Sequence, residues 1–216
     1  MSNLSEKLAP LRVEYQRAGL REEDVLADPI QQLERWLNEA IAAGVLEANA
    51  MTLATASPDG APHARIVLLK GVDARGLTFF TNYESAKGHE LAANPRAALL
   101  LFWHELQRQA RVEGTLAPVA REESEAYFAL RPRGSQLGAW ASSQSAPVAS
   151  RAALDAQLAE VEARFAGRDV PCPPHWGGYR VAPHAVELWQ GRENRMHDRL
   201  RYAKDGGGWK LERLAP

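Results

Sequence analysis

The sequence predicts a mainly β, α+β protein, an antiparallel barrel with helices packed on its outside. Three observations carry this. About eight short stretches have strand character, rich in β-branched, aromatic and alternating apolar residues. Most are joined as hairpins, with turn residues such as Pro58-Asp59-Gly60 and Gly206-Gly207-Gly208 between them. The strands do not alternate regularly with helices, which argues against a doubly wound parallel sheet.

Residues 1–27 are polar and charged and read as a partly flexible arm, leaving 28–216 as one domain. Asp28-Pro29 opens a helix, with Asp as N-cap and Pro in the first turn. Ile30, Leu33, Trp36, Leu37, Ala40 and Ile41 follow at helical spacing, and Gly44 stops it. Strands are expected at 51–57, 61–70 and 77–81, then a short helix at 85–93 that ends at Asn94-Pro95. The next strands are 97–103 and 108–118. An amphipathic helix at 121–130 is terminated by Pro132, residues 136–141 have helical character, and 151–165 is a helix with Leu154, Leu158, Val161 and Phe165 on one side. Strands at 179–182, 185–189 and 195–204 follow, and the last hairpin turns into 209–213.

Composition narrows the function. Of 216 residues, 45% are hydrophobic and 25% charged, ordinary for a globular chain with a sizeable core. A formal net charge of −1 argues against general nucleic-acid binding, which relies on a positive excess. The single cysteine, Cys172, sits among Pro171, Pro173 and Pro174; it can form no intramolecular disulfide and reads as a loop cysteine. Residues 1–10 contain no long apolar run, so no signal peptide is expected, and no stretch approaches a membrane span. A cytoplasmic protein is the expectation. The histidines are scattered and no H-E-x-x-H occurs, so no metal site is expected. Nor does a G-x-G-x-x-G follow the first strand, and there is no P-loop.

Cations and neutral donors dominate the candidate site residues. Read as a strand, Arg195-Met196-His197-Asp198-Arg199 places Arg195, His197 and Arg199 on one face, roughly 7 Å apart. Such a face suits a planar anionic ligand; a charged, solvated edge strand is the other reading. Arg65-Ile66-Val67-Leu68-Leu69-Lys70 brackets an apolar run with two cations. Their odd spacing puts them on opposite faces of a flat strand, so either a bulge intervenes or they serve two ligands. Tyr127 and Arg131 lie one helical turn apart with Ser135 just beyond Pro132, a donor set for an oxyanion, or else a core Tyr and a helix-terminal charge. Ser85-Ala86-Lys87-Gly88 would suit a phosphate at a helix start, or is an ordinary cap. Gln144-Ser145 lies in a Ser-rich loop, and Trp189 could flank a ring or fill the core. With no evident nucleophile, this pattern suits a cofactor that carries the chemistry while the protein positions it.

Together these pieces resemble the pyridoxamine 5′-phosphate oxidase family. The likeness rests on residues 65–70, Phe80-Thr81-Asn82, Arg131-Pro132-Arg133, residues 135–142, Gln144-Ser145, Trp176-Gly177-Gly178-Tyr179-Arg180, Glu187-Leu188-Trp189-Gln190-Gly191, residues 195–199 and Arg213-Leu214-Ala215-Pro216. It runs from about residue 11 to the end, in shared order and spacing. The resemblance implies an FMN-binding split β-barrel and a homodimer with FMN sites at its interface. It implies oxidation of pyridoxamine or pyridoxine 5′-phosphate to pyridoxal 5′-phosphate, with dioxygen reduced to hydrogen peroxide. Carried over by position, FMN is held by Arg65, Ile66, Val67, Leu68, Leu69, Lys70, Phe80, Thr81, Lys87 and Gln109, joined from the partner subunit by Gln144, Ser145, Trp189 and Arg199. The substrate phosphate falls to Lys70, Tyr127, Arg131 and Ser135. Arg195 and His197 are the catalytic candidates beside the pyridine ring, with Met196 between them, and Arg12 and Tyr15 of the arm fold over the site.

Two positions depart from the family pattern. Ala86 stands where the family usually has Arg, removing an FMN-phosphate contact, and Met196 replaces a usual Leu, a near volume-conserving change. Two other functions fit the same scaffold: a split-barrel flavoenzyme with another substrate, or a non-catalytic carrier of FMN or pyridoxal phosphate. Turnover with oxygen separates the carrier; the Tyr127/Arg131/Ser135 cluster and the Arg195/His197 pair speak for the phosphorylated pyridine.

Overall fold

The computed structural model describes residues 4–8, 10, 11, 15 and 19–216; Arg12 lies outside the described residues. Its helices are α1 (Leu4–Leu8), α2 (Pro29–Ala42), α3 (Ala86–Ala93), α4 (Arg121–Ala129), α5 (Arg133–Ala141) and α6 (Arg151–Arg164). Its strands are β1 (Ala50–Ala56), β2 (Pro62–Leu68), β3 (Gly71–Asp73), β4 (Gly76–Asn82), β5 (Arg96–Trp103), β6 (Arg108–Pro118), β7 (Trp176–Gln190), β8 (Asp198–Asp205) and β9 (Gly208–Arg213). Hydrogen-bonded neighbours run β2-β1-β5-β6-β7-β4-β3, with β8 pairing both β7 and β9, and the sheet is not closed. The chain divides into two compact units, one from Asn49–Leu100 and Val112–His184, the other from the described residues of Met1–Ala48 with Leu101–Arg111 and Ala185–Pro216.

In the first unit, β1 and β2 pair antiparallel from Ala50↔Leu68 to Ala56↔Pro62, across the turn expected at residues 58–60. β4 pairs with the start of β7, Thr81 opposite Gly177 and Phe80 opposite Gly178. The Ser85 hydroxyl caps α3 by accepting from Gly88 N–H at 3.3 Å. Phe128, Leu137, Phe165, Val170 and Trp176 form a buried cluster, with Leu158, Val161 and Trp140 packed against it. Those contacts place α6, whose apolar stripe was read from the sequence.

The second unit is built on α2. Asp28 accepts from Ile30 N–H at 2.7 Å, so the expected N-cap forms, and Leu33, Trp36 and Ala40 are buried. Trp36 meets Trp103 edge-on at 6.2 Å, and Trp103 Nε1 donates to the Ala48 carbonyl at 2.8 Å. Leu20 is buried and its N–H donates to Asp198 at 3.0 Å, while Arg213 grips Glu22 at 2.8 Å. The stretch from residue 19 onward is therefore tied to β8 and β9.

Three local expectations change. The strands expected at 179–182 and 185–189 are one continuous β7. Pro183 falls between the β4 and β8 pairings, because β7 pairs with β4 up to Val181 and with β8 only from Ala185. The short β3 went unread because it has only three residues. Most important, residues 195–197 are not strand: Glu193–Arg195 is a 3₁₀ turn, with Asn194 and Arg195 at φ 54° and 59°. β7 and β8 are antiparallel, with Gln190 opposite Asp198, so the chain must reverse between them. Left-handed residues make that reversal, and period-two alternation cannot hold through it.

Candidate active site

A cavity of about 650 Å³ lies within the first unit. The end of β2, the end of β4, the start of α3, the α4–α5 corner and the first residue of β7 wall it. From β2 and the chain after it come Ile66, Val67, Leu68 and Lys70; from β4, Phe80, Thr81 and Asn82; from α3, Lys87; from the corner, Tyr127, Leu130, Arg131, Pro132 and Ser135. Gly138, Ala139, Ser142, Gln144 and Trp176 complete the wall. Among the described residues, Lys70, Lys87 and Arg131 are its cations and no carboxylate lines it.

Such a wall selects anions. Lys87 is buried, and its ammonium donates to Gln144 Oε1 at 2.7 Å and lies 3.3 Å from Ser85 Oγ, all neutral partners. Burial, with the nearby Arg65 charge, pulls its pKa below the ordinary lysine value. Arg131 Nη1 is buried without a hydrogen-bond partner among the described residues. A cation held without a counter-ion is costly unless a ligand supplies the negative charge.

The structure brings together Ile66, Val67, Leu68, Lys70, Phe80, Thr81, Lys87, Tyr127, Arg131, Ser135 and Gln144. Gln144 also accepts from Thr81 Oγ1 at 3.2 Å, so within one chain it faces Lys87 and Thr81. Ser145 is not in the wall and has φ 73°. Leu69 is buried and is not in the wall either. The odd spacing of Arg65 and Lys70 has a simple cause. β2 ends at Leu68, and Lys70 N–H bonds instead to Thr78 of β4 at 2.8 Å, so strand parity stops before Lys70.

Arg65 is not in the wall. It pairs with Glu90 at 3.0 Å and also donates to Thr55, while Glu90 holds His63 Nδ1 at 2.8 Å. Burial pushes the Glu90 carboxyl up, but hydrogen bonds from Thr55 and Arg65 outweigh it and hold it below the usual carboxylate range. Glu90→Ala should therefore lower stability by about 2–3 kcal/mol near neutral pH, because it strands a part-buried guanidinium. A depressed folded-state pKa contributes stability above the unfolded value that is lost as pH falls through the folded one. The gap between wild type and variant should accordingly close in acid; equal melting temperatures at pH 7 would refute the assignment.

The remaining candidates lie in the other unit. Trp189, Tyr15 and His197 form an aromatic group, with Trp189–His197 centroids 4.7 Å apart and Tyr15 edge-on to both at 5.7 and 5.8 Å. His197 Nδ1 accepts from Arg192 N–H at 3.1 Å. Burial, then the charge of Arg195, pulls the His197 pKa below its ordinary value. Arg199 is held by buried Glu187 at 2.9 Å, and Gln109 lies on β6. Arg195 and Met196 are exposed.

Trp176 is one of the cavity residues outside the expected site set, with Asn82, Leu130, Pro132, Gly138, Ala139 and Ser142. Its signal was the glycine pair behind it: a Cβ on Gly177 would lie 2.2 Å from Tyr83 Oη, and one on Gly178 would lie 2.8 Å from the Phe80 ring. Adjacent glycines inside a strand mark such close approach.

Residues 37–165 match the family model described as pyridoxamine 5′-phosphate oxidase. The chain belongs to this family. Residues 176–216 match the model described as the pyridoxine 5′-phosphate oxidase C-terminal dimerisation region. A pyridoxine/pyridoxamine 5′-phosphate oxidase of Rubrobacter xylanophilus is 62% identical over 97% of this chain and 96% of its own. One of Burkholderia vietnamiensis is 56% identical over 97% and 99%. Among solved structures, PhzG from Burkholderia lata, in complex with tetrahydrophenazine-1-carboxylic acid, superposes with a TM-score of 0.88 at 36% identity, covering 94% of this chain and 100% of its own. A pyridoxamine 5′-phosphate oxidase-related, FMN-binding protein from Nostoc punctiforme shares the fold, at TM-score 0.71 and 18% identity, covering 89% and 100%. The fold is the split-barrel FMN-binding fold, and FMN is the cofactor of pyridoxamine phosphate oxidases. The cavity fits an anionic flavin nucleotide: buried Lys87 and the unsatisfied Arg131 Nη1 both await negative charge. No described helix is long and apolar enough to cross a membrane.

Proposed function

We propose that this chain is an FMN-dependent oxidase that converts pyridoxine or pyridoxamine 5′-phosphate to pyridoxal 5′-phosphate, with dioxygen reduced to hydrogen peroxide, acting as a homodimer in the cytoplasm. The carboxylate-free cavity with its three cations carries the reading, because both cofactor and substrate bear phosphates. FMN supplies the two-electron oxidation at the C4′ carbon. Lys87, Thr81 and Gln144, with Ile66, Val67 and Leu68, hold it. Arg131, Tyr127, Ser135 and Lys70 hold the substrate phosphate, a remote group whose binding energy fixes the reacting carbon in place. Arg195 and His197 orient the pyridine ring, with Tyr15 and Trp189 packed against His197, and Trp189 and Arg199 also serve FMN.

The test is aerobic incubation of the FMN-loaded protein with pyridoxine 5′-phosphate, following aldehyde and peroxide together. One-to-one formation is expected. Bound FMN without turnover on alcohol or amine would leave another flavin activity or a carrier. A narrower check concerns Lys87. Lys87→Met should weaken FMN retention at least roughly tenfold, the worth of a charge-assisted hydrogen bond, read from flavin fluorescence on dilution. Unchanged retention would remove Lys87 from the cofactor site.

A further inference from the structure

We infer that Trp176 is a positioning residue for Arg131: its indole face holds the guanidinium in place while leaving the N–H edge open to an anion. The inference rests on the proposed reading of Arg131 as a phosphate ligand. Trp176 is 6% exposed and is the first residue of β7, where pairing with Asn82 sets its position. The Arg131 guanidinium carbon lies 4.7 Å from the Trp176 ring centroid and 5.5 Å from that of Phe128. The indole is itself fixed, stacked on Phe80 at 5.4 Å and 10° and met edge-on by Phe128 at 5.0 Å.

Two other arginines of this unit are oriented by carboxylates instead: Arg65 donates to Glu90 and Arg180 to Glu123, acids that take up an N–H and offset its charge. A carboxylate beside Arg131 would compete with phosphate for the same donors. An aromatic face restrains a planar cation through its π surface and consumes no N–H. The unpartnered Nη1 of Arg131 is the trace of this arrangement.

A double-mutant cycle on the FMN-loaded enzyme tests it: Trp176→Leu, Trp176→Phe, Arg131→Ala, and Trp176→Leu with Arg131→Ala. KM for pyridoxine 5′-phosphate is measured beside the dissociation constant for pyridoxal 5′-phosphate from absorbance titration, with melting temperatures as control. Trp176→Leu should raise both constants roughly tenfold with kcat little changed, and Trp176→Phe should restore most of the loss. In the Arg131→Ala background Trp176→Leu should add nothing, because the group it positions is gone. Equal effects in both backgrounds would make Trp176 a packing residue only and overturn the inference. So would an unmoved KM in Trp176→Leu when Arg131→Ala raises it, a result that leaves the phosphate reading standing. An Arg131→Ala variant with unchanged constants would defeat the phosphate reading itself. Should Trp176→Leu not fold, Trp176→Met fills more of the space, still without a π face, and is judged by the same outcomes.

Discussion

Arg195→Leu is expected to lower kcat about a hundredfold or more, a loss typical of removing a positioned charge from a reacting centre, while the flavin stays bound. Arg195 is exposed, on a turn with φ 59°, next to Asn194 at φ 54°. Left-handed backbone at two successive non-glycine residues is unfavourable and persists where the surroundings enforce it, commonly at functional sites. Here the enforcement comes from β7–β8 pairing on one side and from the Arg192 N–H to His197 Nδ1 hydrogen bond on the other. Two acids of the flanking strands are engaged by other arginines, Asp198 by Arg192 and Arg213 and Glu187 by Arg111 and Arg199. A second readout follows from the electrostatics. Arg195 is one cause of the lowered His197 pKa, so the variant should let it rise part-way toward the ordinary value, burial remaining as the larger cause. An NMR titration of His197 reads this. Full kcat with an unmoved His197 titration would remove Arg195 from the reaction.

Arg131→Ala should raise KM for pyridoxine 5′-phosphate roughly 10- to 100-fold, the equivalent of about 1.5–3 kcal/mol for a charge-assisted hydrogen bond, with kcat changed far less. The split follows from distance along the substrate: a group that binds the phosphate equally in ground and transition states moves KM. Unphosphorylated pyridoxine is the control, since it has no phosphate for Arg131 to lose. A KM that stays put for the phosphorylated substrate would place the phosphate elsewhere, and an equal change for both substrates would mean that the cavity has collapsed.

Much of the fold was legible because its signals are local. Asp28 before Pro29, the apolar spacing through Leu33, Trp36 and Ala40, and the turn at Pro58-Asp59-Gly60 each act over a few residues, and each element formed where it was read. Strand 108–118 was placed to the residue, and the helix after Ser85 began at its expected cap. The site residues Lys70, Lys87, Tyr127, Arg131 and Ser135 were found through donor chemistry and a family resemblance, and they share one cavity. The reading of residues 195–197 as strand failed because alternation presumes extended backbone, and nothing local announces that Arg195 turns left-handed after Asn194.

Residue type, spacing and order thus determined the elements, the family and the choice of cations over carboxylates as the site's chemistry. Tertiary structure alone decided which cations stay open. Arg65 and Arg131 are the same side chain in sequence, yet Glu90 claims the first and the Trp176 ring restrains the second without neutralising it. That difference depends on which partner long-range packing delivers to each guanidinium, Glu90 from α3 and Trp176 by its strand register with Asn82, and no local sequence signal encodes it.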